Sequence, residues 1–117
     1  MRILIVMVLT VGVALPAVAG DFIKIDNKDR FVSLIQNRDL TRFGIRLSVT
    51  PTGDIEGRAF GREVSGAWQW SSGYFCRELY WGSRNLGANC QAVAVQGSTL
   101  RFISDRGQGE FADLVLR

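Results

Sequence analysis

The chain holds two cysteines, Cys76 and Cys90, and no histidine. Without an imidazole it lacks the commonest general base, the commonest zinc ligand and any axial-histidine haem site. Serines stand at positions 33, 48, 65, 71, 72, 83, 98 and 104, but none sits in a nucleophile elbow and no histidine could activate one. Asp54, Glu56, Glu63 and Glu78 are carboxylates near the central strands, the residue type that hydrolyses glycosides in pairs. Their spacing singles out no two of them. Asp26, Asn27 and Asp29 offer oxygens to calcium, but the glycine turn and distal glutamate of a calcium loop are missing, so helix capping accounts for them. No catalytic residue, metal ligand or cofactor is therefore expected, and an enzyme is the least favoured class.

An even cysteine count in an oxidising compartment reads as a disulfide. The Cys76–Cys90 bridge closes a loop of 15 residues, which chain entropy values at about 3 kcal/mol. A redox-active pair usually has two residues between its cysteines, so this spacing argues for a staple. Around the first cysteine, Trp68, Trp70, Tyr74, Phe75, Tyr80 and Trp81 place six aromatics within fourteen residues. Such a group lines a pocket for a sugar, a lipid or a partner's side chain, or else forms the core of a small fold. Trp68 and Trp70 share one face and Phe75 and Trp81 another, which favours core. Tyr74 and Tyr80 take the cysteine face and are expected to be more exposed. Arg77 shares the parity of Phe75 and Leu79, where an unpaired guanidinium is costly. Either a bulge re-aims it, or it pairs with Asp105, Glu63 or a ligand anion. The candidate binding residues are thus Arg77 with Glu78 beside it, Tyr74, Tyr80, Trp68, Trp70 and Trp81.

The elements that must position these residues begin after a leader. Met1 and Arg2 give a short positive start, Ile3 to Leu15 an apolar run broken only by Thr10 and Gly12, and Ala17-Val18-Ala19 the small residues read by signal peptidase. The run is shorter than the about 20 residues that span a hydrocarbon core. Residues 1–19 are therefore expected to be a signal peptide and residues 20–117 a single domain stapled by the disulfide, periplasmic or secreted, with no membrane anchor. Without Arg2 the domain has 13 basic and 11 acidic side chains, a net charge of +2. Its basic residues are scattered, which argues against nucleic acid as a partner.

Within the domain, Asp21 to Ile25 suits a short strand or extended arm. Phe31, Leu34 and Ile35 recur at helical spacing over Asn27 to about Gln36, with Asp26 or Asn27 as N-cap and Asp29 in the first turn. After Leu40 the period becomes two. Phe43 to Val49 reads as one strand, Pro51-Thr52-Gly53-Asp54 as a turn and Ile55 to Phe60 as its hairpin partner. A short strand at Glu63 and Val64, then Ala67 to Trp70, leads through Ser71-Ser72-Gly73 to the strand Tyr74–Trp81. A loop is expected from Gly82 to Asn89. Beyond it Val93 and Val95 share a parity opposite to Cys90, so the disulfide should bridge neighbouring antiparallel strands over the sheet's second face. Thr99 to Ser104 and Phe111 to Leu116 complete the count, with a turn at residues 105–109. Seven or eight short strands divided by glycine-bearing turns predict an all-β fold. A small antiparallel barrel with the helix at one end or on its outside is favoured over a two-sheet sandwich.

Gly66-Ala67-Trp68-Gln69-Trp70, Gly73-Tyr74-Phe75-Cys76-Arg77, Asn89-Cys90-Gln91, Leu100-Arg101-Phe102 and Asp105-Arg106-Gly107 together resemble a group of short exported alphaproteobacterial proteins. The resemblance covers about half of the mature chain and implies export but no activity. Some members carry a dihydrodipicolinate reductase label. This chain has neither the Gly-x-Gly-x-x-Gly turn nor the length for the dinucleotide-binding unit such a reductase needs. Ser65-Gly66, Gly73-Tyr74 and Cys76 are loosely similar to elements of periplasmic lysozyme inhibitors, which are small disulfide-bearing β-barrels. The spacing differs, and a net +2 offers no attraction to a cationic lysozyme. The expectation is a non-enzymatic binding module for a small ligand or an envelope protein. A structural or interaction protein, such as an inhibitor of an envelope-acting enzyme, is the alternative, and a hydrolase trails both.

Overall fold

The computed structural model describes residues 21–117; the expected signal segment and its cleavage point lie outside the described residues. The strands are β1 (Ile23–Lys24), β2 (Asp39–Arg42), β3 (Ile45–Val49), β4 (Asp54–Ala59), β5 (Arg62–Ser71), β6 (Tyr74–Trp81), β7 (Arg84–Gln96), β8 (Thr99–Ile103) and β9 (Phe111–Leu116). From β2 to β9 each strand pairs antiparallel with the next, and β9 returns to β2, so eight strands close into a barrel. β1 lies along β7 at Ala94 and Val95, past Gln91 where β6 has ended. The sandwich alternative is thereby excluded. Among the described residues no helix is long and apolar enough to cross a membrane.

Eight strands enclose an interior just wide enough for side chains to fill, and here they fill it. Leu40, Val49, Ile55, Val64, Trp68, Phe75, Val93, Val95, Leu100, Phe102, Leu114 and Leu116 are all buried. Helix α1 (Lys28–Ile35) stoppers the end at which β2 begins. Asn27 caps it, its Oδ1 accepting the Arg30 N–H at 2.9 Å. The helix buries Phe31 and Ile35 completely. The Phe31 ring lies 5.1 to 5.3 Å from those of Trp68, Trp70 and Phe75, spacing at which aromatic pairs gain beyond their buried area. The helix is therefore an apolar plug as much as a connection.

Three boundaries depart from the sequence expectation. The strand expected over Phe43 to Val49 is broken at Phe43-Gly44, a turn that creates β2; Gly44 has φ +77° and accepts the Phe60 N–H on its carbonyl at 2.7 Å. The two short pieces expected between Glu63 and Trp70 are one ten-residue strand, β5. The loop expected from Gly82 to Asn89 shrinks to a two-residue turn, because Arg84–Gln91 pair with β6 as the first half of the thirteen-residue β7. A register shift between Leu79 and Tyr80 marks a bulge there, with Leu86 as the extra residue.

Cys76 and Cys90 are bonded and stand directly opposite each other on β6 and β7. As the alternation required, both leave the face opposite to Phe75 and Leu79. Gly57 and Gly66 fit interior positions where no side chain has room: a Cβ on Gly66 would lie 2.1 Å from the Glu78 carbonyl oxygen, and one on Gly57 2.2 Å from that of Arg46. Such close approach lets the sheet coil tightly enough to close.

Candidate polar cleft over the disulfide

Residues directly opposite each other on antiparallel strands project to the same face. Across β5, β6 and β7, the rows Trp70–Phe75–Gln91, Trp68–Arg77–Asn89 and Gly66–Leu79–Gly87 share the interior face. Gln69–Cys76–Cys90 and Ala67–Glu78–Ala88 share the exterior one. Trp68, Trp70 and Phe75, which the alternation alone divided between two faces, are thus on one face, and Trp81 belongs to it too. Arg77 keeps the interior parity, with no bulge to re-aim it, while Glu78 points the other way.

The Arg77 guanidinium donates to the Gly87 carbonyl at 3.0 Å and makes no ion pair among the described residues, so neither Asp105 nor Glu63 neutralises it. Burial holds its pKa below the ordinary arginine value, though guanidinium stays protonated at any pH a folded protein meets. One donated hydrogen bond leaves most of its five N–H groups to solvent or a ligand.

Beside it, Asn89 anchors the turn between β8 and β9. Its Nδ2 donates to Asp105 Oδ1 at 2.8 Å, and its Oδ1 accepts the Asp105 N–H at 2.9 Å. The turn is strained, since Asp105 and Arg106 are both left-handed at φ 55° and 54°. Non-glycine residues hold such angles at a cost of about 1 to 3 kcal/mol each, and only where their surroundings fix them. Arg106 is carried to 5.6 Å above the Tyr74 ring, which also has Lys24 at 5.2 Å.

Arg77, Asn89, Asp105 and Arg106, with the disulfide and the edge of Trp68, border an open cleft of about 620 Å³. Ala67, Gln69, Glu78 and Ala88 complete its lining. Arg77, Glu78, Trp68 and the cysteines are therefore brought together, and Tyr74 adjoins them through Arg106. Tyr80 stands 40% exposed on the exterior face, away from the cleft. Trp70 belongs to the core, where its Nε1 is buried without a hydrogen-bond partner. Trp81 lies at the barrel's other end, its Nε1 donating to the Ala59 carbonyl at 2.8 Å. Of the four carboxylates weighed for hydrolysis, only Glu78 reaches the cleft; Asp54 shares its row but sits two strands away, roughly 10 Å. Among the described residues no three His, Cys, Asp or Glu side chains gather as a metal site would need.

Asn89, Arg106 and Gln69 are not among the residues the sequence points to, and Asp105 is expected only as a partner for Arg77. Asn89 was within reach of sequence reasoning, because pairing Cys76 with Cys90 places residue 89 opposite residue 77. The left-handed turn at Asp105 carried no such signal. Comparison of the chain with protein-family models, with curated proteins and with solved structures finds no match.

Proposed function

We propose that the protein is an exported, non-enzymatic binding module of the cell envelope that takes an anionic group, carboxylate or phosphate, in the cleft beside Arg77. The observation that carries this reading is the half-buried Arg77 guanidinium, held by one carbonyl and by no carboxylate. Desolvation strengthens what such a group offers an anion, and a planar fork suits bidentate recognition. Asn89 and Arg106 add donors at the same rim, and one carboxylate oxygen of Asp105 accepts from Asn89. Export is supported by the leader-like first 19 residues and by the disulfide. Because the barrel interior is filled, the ligand is one that lies on the surface.

Native mass spectrometry of the periplasmic fraction, on protein expressed with its own leader, tests this directly. The expected species begins at Gly20, is two hydrogens light and carries an acidic adduct that Arg77→Gln loses. A bare mass for both chains sinks the reading.

A second reading, that the module binds an envelope protein, draws on the same filled core together with exposed aromatics at the hairpin tips, Phe43 and Phe60. A co-purifying protein in the same experiment, indifferent to Arg77→Gln, would favour it.

A further inference from the structure

Because successive strands alternate in direction, four turns follow strands that run away from the helix; the one between β8 and β9 is set back beside Asn89 and Tyr74, and the other three are Phe43-Gly44, Phe60-Gly61 and Gly82-Ser83. They form one surface. The Phe60 ring covers the first turn so closely that a Cβ on Gly44 would lie 2.5 Å from it. Arg62 packs against Gly82 and stacks over Trp81 at 4.5 Å, and the Gly82 N–H donates to the Glu63 carbonyl at 2.7 Å.

Two properties set this end apart. Phe43 is 92% and Phe60 60% exposed, two large aromatic side chains standing in solvent at adjoining tips. Phe60 also holds a left-handed φ of 52°, which a bulky aromatic adopts only under strain and which glycine or asparagine would adopt more easily. Its ring packs on Gly44, yet the side chain stays 60% exposed, so that contact removes only a minor part of it from water. The second property is charge. Within two residues of these three turns the sequence places Arg42, Arg46, Arg58, Arg62 and Arg84 but one carboxylate, Glu63, whereas the remaining described residues carry eight basic and ten acidic side chains. Arg46 is bound to Asp39, and the other four arginines form no ion pair among the described residues.

We infer that this end of the barrel docks on an anionic phospholipid surface, Phe43 and Phe60 entering the headgroup boundary while Arg42, Arg58, Arg62 and Arg84 bind phosphates. Protruding aromatic tips gain by entering a soft interface, and guanidinium groups recognise phosphate with paired hydrogen bonds. Each arginine near an anionic leaflet contributes roughly fivefold in affinity. The uneven charge orients the molecule, with its near-neutral to acidic remainder away from the lipid. The cleft at Arg77 plays no part in this docking.

Sedimentation with vesicles of phosphatidylcholine, with and without phosphatidylglycerol, tests the inference on the mature chain. The expected result is binding only to the anionic vesicles, weakened by salt, with a blue shift of Trp81 emission that Trp81→Phe removes. The double variant Phe43→Asn, Phe60→Asn should lose at least tenfold in affinity, and the triple Arg42→Gln, Arg62→Gln, Arg84→Gln roughly a hundredfold. Asparagine tolerates the left-handed turn and Phe43 has no core role, so the double variant should melt close to wild type; the arginine triple also gives up the Arg62–Trp81 stack, and its melt reads that loss apart from binding. Equal binding to both vesicle types, no binding, or an asparagine variant that binds as wild type overturns the inference. Retention on polyglutamate without vesicle binding does so too, and assigns the end to an acidic protein.

Discussion

Arg101 grips Asp113 on the neighbouring strand with two hydrogen bonds, Nε to Oδ1 at 2.8 Å and Nη2 to Oδ2 at 3.0 Å, while its guanidinium lies between the rings of Phe22 and Phe111 at 4.0 and 3.9 Å. Phe22 directly precedes β1, so this stack ties the N-terminal arm to the outside of the barrel. The hydrogen bonds from Arg101 hold the Asp113 carboxyl below its ordinary pKa and raise that of Arg101. A depressed carboxylate contributes stability above its unfolded pKa, near 3.9, and loses it as pH falls through the lower folded value. Acidification below about pH 4 should therefore loosen the arm. Amide exchange at Ile23 and Lys24, followed against pH, should show the arm opening in acid. Asp113→Asn should open it at neutral pH and flatten the dependence.

Reduction of the Cys76–Cys90 bond should lower stability without changing the fold. The two cysteines are register partners in a hairpin whose turn is two residues long, so the reduced chain keeps the pairing and loses mainly the constraint on the unfolded state. Urea unfolding of Cys76→Ser, Cys90→Ser should show a deficit of about 2 to 3 kcal/mol with an unchanged near-ultraviolet spectrum.

Trp68 and Trp70 look alike in sequence and should respond differently to phenylalanine. The Trp68 Nε1 donates to the Thr50 carbonyl at 2.9 Å, while the Trp70 Nε1 is buried with no acceptor. Trp68→Phe strands a carbonyl as well as losing contacts. Trp70→Phe removes an orphan donor whose burial costs about 1 to 3 kcal/mol. In urea the first variant should be clearly less stable than the second, and equal losses would show that the orphan donor has no energetic weight.

Gly66→Ala should be among the most damaging single changes. The atom a Cβ would strike is the Glu78 backbone carbonyl of the adjoining strand, which cannot rotate aside. Overpacking of this kind costs about 1 to 3 kcal/mol or more. Gly61→Ala, at a turn where a Cβ meets nothing within 4 Å, should cost only the strain of its φ of +82°. Thermal melts of the pair separate clash from backbone conformation.

Arg77→Met should leave stability equal or raised while removing the anion site. The half-buried guanidinium has one carbonyl partner and a desolvation penalty, and methionine can occupy much the same interior space without a charge. A large loss of melting temperature would mean that Arg77 is structural.

The parts legible from sequence were those where burial imposes a pattern. Tyr74–Trp81 and Phe111–Leu116 match β6 and β9 at both ends, and the helix and its Asn27 cap lie where Phe31 and Ile35 required. Alternation failed at Phe43 because a two-residue turn preserves parity, so Phe43 continues the pattern of Ile45, Leu47 and Val49 while standing in solvent. It failed again at Arg84 to Asn89, a paired stretch with no apolar stripe to mark it as strand. The cleft was half legible. Arg77 could be placed by parity, whereas the turn at Asp105 depends on bonds to Asn89 across sixteen residues of sequence.

Closure of the barrel rests on a narrow seam. β2 and β9 share only the pairs Leu40–Leu116 and Thr41–Val115, flanked by reciprocal bonds between Asp39 and Arg117 at 2.9 Å and by Thr41 Oγ1 donating to the Val115 carbonyl at 3.0 Å. Every other strand junction of the barrel joins neighbours in sequence through a turn, but this one joins segments more than seventy residues apart. Such a contact bears the largest loop-closure entropy of any junction in the barrel while resting on two register pairs. The seam is thus the last part to zip during folding and the first to breathe afterwards, and it is where an open, edge-exposing form of the chain would begin.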